Sequence, residues 1–274
     1  MHIQFQHPHL TVFESALYRT TATVVETPEL ILVVDPNCLP GEIETIQKHV
    51  RQIRGERPVF LLFTHSDWDH IIGYRAFDEA QVIATKAFQD NPHPEKSLAA
   101  IRKFDDEYYI SRSYLVEYPQ VDIPIHFDGQ TIEIGATRLV FYQAPGHTAD
   151  SMFTVIEPYG VWLAGDYLSN IEFPFVYQSF AEYLGTLSKA TQILQEHSIR
   201  LLVPGHGDVT TEKSTMQTRI EESEQYLRQV IRLVQNGNLF DEEGLFSRYQ
   251  FSNILQKYHR ENLKVARKEF EATN

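Results

Sequence analysis

Apolar positions recur along this chain in three rhythms, and each rhythm predicts a different element. Thr11–Asp35 is rich in Val, Thr, Leu and Ile and is interrupted by Thr27-Pro28. That pattern reads as two or three strands in a meander. Within Gly41–Arg54, Ile43, Ile46, Val50 and Ile53 recur at spacings of three and four, the stripe of an amphipathic helix. After Pro58, Val59–Phe63 is the wholly apolar run VFLLF, as expected of a strand covered on both faces. Ile71–Phe77 reads as the opening of another helix, and Gln81–Ala84 as another buried strand. Strands and helices in this alternating order predict a layered α/β architecture.

Phe88–Gln120 breaks the rhythm with Pro92 and Pro94, followed by a helical stretch carrying Tyr108, Tyr109, Tyr114 and Tyr118. It reads as a helical insertion near the cleft, with tyrosines that pack it onto the body or line a substrate site. Strands resume at Gln130–Ile134, Arg138–Gln143, Met152–Ile156 and Val161–Ala164. Phe180–His197 follows as a helix and Arg200–Val203 as a final buried strand. From Thr211 the pattern is helical, with Met216, Ile220, Tyr226, Val230 and Val234 near helical spacing. Asn236-Gly237 stops that helix, and two more follow. The expected organisation is one domain over 1–210 and a helical extension over 211–274 packed on it. That extension either caps the cleft or forms a homodimer surface, and the sequence favours neither.

Composition narrows the class. Hydrophobic residues make up 42% and charged residues 22%, which excludes a disordered or collagen-like chain. The single cysteine, Cys38, excludes an intramolecular disulfide scaffold. A net charge of −13 repels phosphate backbones and anionic lipid, so no nucleic-acid or membrane partner is expected. The opening MHIQFQHPHL has no basic segment followed by an apolar run, and no run of apolar residues is long enough to span a bilayer. The expected location is therefore cytoplasmic.

The chemistry sits in loops that follow strand-like runs. After VFLLF comes Thr64-His65-Ser66-Asp67-Trp68-Asp69-His70, after LVFYQ comes Ala144-Pro145-Gly146-His147-Thr148, after VWLA comes Gly165-Asp166, and after RLLV comes Pro204-Gly205-His206-Gly207. Alternate spacing of His65, Asp67 and Asp69 projects three side chains to one side of an extended loop. Placing these polar groups directly after a buried strand costs free energy unless something compensates them. Imidazole and carboxylate together suit divalent zinc, iron or manganese. Taken alone, Asp166 also reads as a turn residue or helix cap. His2, His7, His9, His49, His93, His126, His197 and His259 read as surface or hydrogen-bonding residues.

The order His-x-x-x-Asp-His, Gly-His-Thr, Gly-Asp, Gly-His-Gly, within FTHSDWDHIIGY, FDGQTIEIG, APGHTADSM and VPGHGD, resembles the metallo-β-lactamase superfamily over about residues 10–210. The PGHT and VPGHG contexts are most similar to its glyoxalase-II-like hydrolases. The resemblance implies a four-layer αββα sandwich, here with a C-terminal helical extension, and a site at the edge where the two sheets meet. It implies two divalent ions, zinc by family habit, with iron or manganese as alternatives. His65 and His147 would hold the first ion, Asp69, His70 and His206 the second, and Asp166 would bridge them. The implied reaction is attack of a metal-activated hydroxide on a small ester, thioester or lactone, with Asp69 orienting the nucleophile or shuttling its proton. Two other readings are a phosphodiesterase or nuclease, and a degenerate metal-binding protein without catalysis. The absence of a secretion signal and Asp67 speak against a β-lactamase.

The chain departs from the family at Asp67, where a second histidine is usual. With two divalent ions and a hydroxide, Asp67, Asp69 and Asp166 make a neutral centre. A histidine at 67 would leave it one unit more positive. A neutral centre polarises substrate less and holds its water at a higher pKa. The added hard oxygen tilts the first site from zinc towards iron or manganese. A second departure is Asp150, where relatives often carry glycine; it reads as a partner that orients His147 or as a turn acid. Arg248, Lys257, Arg260, Lys264, Arg267 and Lys268 read as a solvated helix face rather than a clamp for an anionic thiol carrier. Protein purified without added metal should carry iron or manganese, or an under-filled first site, by elemental mass spectrometry. Two tightly held zinc ions per chain would contradict the charge argument.

Overall fold

The structure is a computed structural model that describes residues 1–237 and 239–271. Two twisted sheets form its centre. In the first, β1 (His2–His7), β2 (Leu10–Glu14), β3 (Thr21–Glu26) and β4 (Ile31–Val34) form an antiparallel meander. β5 (Val59–Leu62), β6 (Gln81–Thr85) and β7 (Ile123–Ile125) then extend it in parallel. In the second, β8 (Gln130–Ile134), β9 (Thr137–Gln143), β10 (Met152–Glu157) and β11 (Val161–Leu163) are antiparallel. β12 (Leu201–Val203) pairs parallel with β11.

The period of two along each strand sorts the side chains into layers. Val25, Leu32, Val34, Phe60 and Leu62 face inward and meet Leu139, Phe141, Ile156, Leu163 and Val203 of the second sheet. Their neighbours Val24, Ile31, Val33 and Leu61 face outward onto α1 (Pro40–Ile53), which presents Ile43, Ile46 and Val50. The second sheet turns Val140, Phe153, Val155 and Trp162 onto α5 (Phe180–Glu196) and α6 (Lys213–Asn236). The chain thus forms the four-layer αββα sandwich, with helices following the last strand.

Several elements differ in detail from the sequence reading. β1 escaped notice because HIQFQH is polar and half-exposed on a sheet edge, so it carries no burial pattern. β7 is three residues long and contains Pro124, which only an edge strand tolerates. The helix expected over Ile71–Phe77 is instead α2 (Trp68–Ile71), Gly73, and one 3₁₀ turn over Tyr74–Phe77. It starts early because Asp67 is extended and its carbonyl already accepts the amides of His70 and Ile71. In the insertion, α3 (Lys86–Gln89) and α4 (Pro94–Glu107) are followed by irregular chain. Tyr114 and Tyr118 pack onto the outer face of the first sheet, and the Tyr118 hydroxyl donates to the Phe88 carbonyl at 3.0 Å. Tyr108 and Tyr109 are exposed.

After α6 come α7 (Glu242–Phe246) and α8 (Ser252–Phe270). Among the described residues, no helix is long and apolar enough to cross a membrane. Phe141 is fully buried between the sheets, so Phe141→Ala should cost about 3–5 kcal/mol in urea unfolding, with an unchanged slope.

Candidate metal centre

The edge that carries the chemistry follows from the topology. β4 and β5 run parallel, as do β11 and β12, so the loops leaving their C-terminal ends emerge on one side. These are the loops with Asp35, His65 to His70, Asp166 and His206. The β9–β10 turn adds His147. Two backbone bonds stitch the sheets there, Met152 N–H to the Thr64 carbonyl at 2.8 Å and Thr21 N–H to the Gly205 carbonyl at 2.7 Å. Gly205 is needed for this closeness, because a Cβ there would run into the Asp166 carboxylate.

Asp166 sits at the middle. Its Oδ2 lies 3.6 Å from His65 Nε2 and 3.3 Å from His147 Nε2. Its Oδ1 lies 3.1 Å from His70 Nε2 and 3.4 Å from His206 Nε2. Asp67 Oδ2 joins the first pair, 3.7 Å from His65 Nε2 and 3.4 Å from His147 Nε2. Asp69 Oδ2 joins the second, 3.6 Å from His206 Nε2 and 3.9 Å from His70 Nε2. Six of the seven candidate residues thus fall into two groups of three flanking the seventh, Asp166.

Each imidazole is held from behind through Nδ1. His70 donates to Asp35 Oδ2 at 2.9 Å, His147 to the Phe175 carbonyl at 2.7 Å and His206 to the Tyr18 carbonyl at 3.0 Å. His65 Nδ1 lies 3.0 Å from the Thr64 hydroxyl, which itself donates to Asp35 Oδ2 at 2.6 Å. These bonds place each Nε2 lone pair inward. Inside, Nε2 of His65, His70 and His147 and Oδ1 of Asp166 are buried without hydrogen-bond partners. Orphaned polar atoms of this kind are rare in folded proteins and need an explanation. Converging imidazole nitrogens and carboxylate oxygens within 4.8 Å fit divalent cations well.

The electrostatics agree. Burial opposes charge on His70 and His147, but Asp166 and the neighbouring acids outweigh it and hold both well above the usual imidazole range. His206 is raised to about 10 against the same burial, chiefly by Asp166. Asp67 and Asp166 are held well below the usual carboxylate range despite burial, by the surrounding imidazoles. The pocket attracts positive charge from whatever source.

Backbone strain concentrates here. Tyr18, Arg19 and Asp35 adopt left-handed φ values of 55°, 51° and 43°, a costly region for residues with side chains. Tyr18 thereby offers its carbonyl to His206, and Asp35 its carboxylate to His70 and to the Thr64 amide at 3.0 Å.

Four contributors were not recognised from sequence. Asp35 closes the buried run ILVV just as His65 follows VFLLF, so the same signal was available for it. The Tyr18 and Phe175 carbonyls have no side-chain signature. Glu172 places a carboxylate within 4.8 Å of ligand atoms of Asp166 and His206, and burial pushes it up to about 7; nothing near it in sequence marks it. Asp150 does not orient His147. It accepts the Thr148 hydroxyl at 2.6 Å, the part of a turn acid, because the Phe175 carbonyl already holds His147. Cys38 is buried, its thiol directed to the Asp69 carbonyl at 3.4 Å.

A cleft of about 440 Å³ opens beside the centre, walled by Tyr18, Trp68, Phe175, Tyr177, Leu255 and Tyr258 and floored by Asp67, Asp69 and Asp166. None of the insertion tyrosines is among its lining residues. Arg19 also lines it, and its guanidinium is engaged by Glu14 at 2.9 Å and by Asp208.

The model of the metallo-beta-lactamase superfamily matches residues 17–206, and the chain belongs to that superfamily. Its members are generally metal-dependent hydrolases. Among solved structures, a double mutant of the sec-alkyl sulfatase PisA1 superposes with a TM-score of 0.68 at 12% identity, covering 98% of this chain and 50% of that one. The chain therefore spans half the length of that relative. A metallo-beta-lactamase family protein from Thermus thermophilus gives 0.63 at 19% identity over 94% of each chain. ETHE1 from Myxococcus xanthus gives 0.55 at 15% identity, over 84% of this chain and 92% of that one. These are likenesses of fold. A search of the curated proteins returns no match.

The raised imidazoles and lowered carboxylates set a pH dependence for ion-free protein. The imidazole contribution is complete below the unfolded value of 6.5 and lost as pH rises towards about 10 at His206. The carboxylate contribution is complete above about pH 4 and lost as pH falls below it. Calorimetry in chelator should therefore show the highest melting temperature between about pH 4 and 6.5, falling at higher pH. Added manganese should stabilise more as pH rises, because ions and protons compete for the imidazoles. An ion-free melting temperature that climbs above pH 7 would contradict this.

Proposed function

We propose that the protein is a metal-dependent hydrolase of small, uncharged carboxylic esters, thioesters or lactones. One observation carries the reading: the buried, unpartnered Nε2 atoms of His65, His70 and His147 converge on Asp166, which with Asp67, Asp69 and His206 floors a cleft whose walls are largely aromatic and aliphatic. His65, Asp67 and His147 would hold one divalent ion and Asp69, His70 and His206 the other, with Asp166 shared. Zinc, iron or manganese would suit the set. Ions held there supply Lewis acidity, making hydroxide available near neutral pH and polarising an acyl oxygen.

The chain's own groups do the rest. Asp69 borders both the cleft and His206. From there its carboxylate orients the attacking water and takes its proton, then returns the proton to the leaving oxygen or sulfur. The water oxygen bonds to the acyl carbon, the bond from that carbon to oxygen or sulfur breaks, and an acid and an alcohol or thiol leave. Tyr258 stacks on Phe175 with ring centres 4.0 Å apart, forming a wall that receives an apolar acyl or alkyl group and excludes water.

Charge argues for an uncharged substrate. The floor carries Asp67, Asp69 and Asp166, Glu172 stands beside them, and Arg19 is already paired. Beyond the ions themselves, a phosphodiester or an anionic thiol conjugate would find no unpaired lysine or arginine among the described lining residues. The net charge of −13 acts in the same direction on nucleic acid at longer range.

The test is a chromogenic panel of esters, thioesters, lactones and phosphodiesters, with zinc, manganese and iron each supplied. Turnover should appear on uncharged acyl substrates. Asp69→Asn should lower kcat by about 10²–10⁴-fold, with ion content measured in parallel and the fold retained. Turnover confined to phosphodiesters, or unchanged in Asp69→Asn, would overturn the reading.

A further inference from the structure

Everything after residue 206 lies outside the stretch that the superfamily model matches, yet α8 reaches the centre through a buried amide. Asn262 is 1% exposed. Its Oδ1 accepts the Val176 amide at 2.9 Å, and its Nδ2 donates to the Pro174 carbonyl at 2.7 Å and to the Tyr226 hydroxyl at 2.8 Å. The two backbone groups it grips bracket Phe175, whose carbonyl accepts His147 Nδ1 at 2.7 Å. The Tyr226 hydroxyl is in turn 3.0 Å from Nδ1 of the buried His259. The segment from Ile171 to Gln178 belongs to no helix or strand. No regular ladder therefore fixes the Phe175 carbonyl; Tyr177 N–H to the His147 carbonyl at 2.9 Å ties the chain just beyond it, and the side chain on α8 holds the backbone on both sides of Phe175.

We propose that Asn262 is a positioning residue for the metal centre: it fixes the Phe175 carbonyl and, through it, the orientation of the His147 imidazole. The proposal rests on the metal centre described above. A core asparagine kept only for packing would be replaceable by an apolar residue of similar shape at small cost. Asn262 instead uses both amide protons and its oxygen, two of these three bonds being to the segment that carries the acceptor for His147. Partners that hold a ligand imidazole from behind typically alter metal affinity by about 10–100-fold when removed.

Ion-free protein titrated calorimetrically with manganese tests this. The wild type should show two binding events, and His147→Ala identifies the one that uses His147. Asn262→Leu should weaken that event by about 10–100-fold and leave the other unchanged. Its cobalt-loaded form should show altered visible absorption bands from the same site. Tyr226→Phe keeps the ring and removes only the hydroxyl that anchors Asn262, and should weaken the same event to a smaller degree. It carries the test if Asn262→Leu fails to fold. Weakening of both events in step with melting temperature, or of neither, overturns the positioning role. A wild type that takes up no ion overturns the metal centre, and this proposal with it.

Discussion

One carboxylate, Asp166, sits between four imidazoles, mostly buried at the floor of the cleft. Much of the surrounding architecture serves that arrangement. A buried carboxylate ringed by inward-pointing nitrogen lone pairs is unfavourable on its own, and it becomes favourable when positive charge enters. Gly205 allows the close approach, the parallel pairs β4–β5 and β11–β12 deliver the loops to one edge, and a set of Nδ1 bonds locks the rings. Left-handed backbone at Tyr18, Arg19 and Asp35 is the strain accepted to place those acceptors.

The carboxylate content distinguishes this centre. Asp67 joins His65, His147 and Asp166 in one group, and Glu172 adds a further acid near His206. Both lower the net charge of the floor, while the walls are mainly aromatic. That acidity is the basis of the proposed hydrolysis of an uncharged acyl compound, and on the same proposal harder divalent ions would be favoured over zinc at the first site. On the proposed reading the same acidity disfavours phosphate-bearing substrates, although the fold is shared with enzymes of varied chemistry.

Much of this could be read from the chain because burial and chemistry occupy adjacent positions in it. VFLLF, LVFYQ, VWLA and RLLV each announce a covered strand, and each is followed within four residues by a residue of metal-ligand type. Period-two alternation separates the inner and outer faces of the sheets, as Val24 and Val25 show. What could not be read was either polar or backbone-borne. HIQFQH pairs on an edge without a burial pattern, and IPI is too short to register. The Phe175 and Tyr18 carbonyls look like any other peptide oxygen. A helix beyond Gly237 was legible, but the docking site of α8 was not. Tyr258 meets Phe175 and Asn262 meets Val176 through tertiary packing alone, which no local pattern encodes. Asp35 is different: it follows a buried strand as the candidate ligands do.

Anomalous diffraction from crystals grown with manganese tests the central claim most directly. The account predicts two peaks flanking the Asp166 carboxylate, one bounded by His65, Asp67 and His147 and the other by Asp69, His70 and His206. No anomalous density between these side chains, or ions bound only elsewhere on the surface, would contradict it.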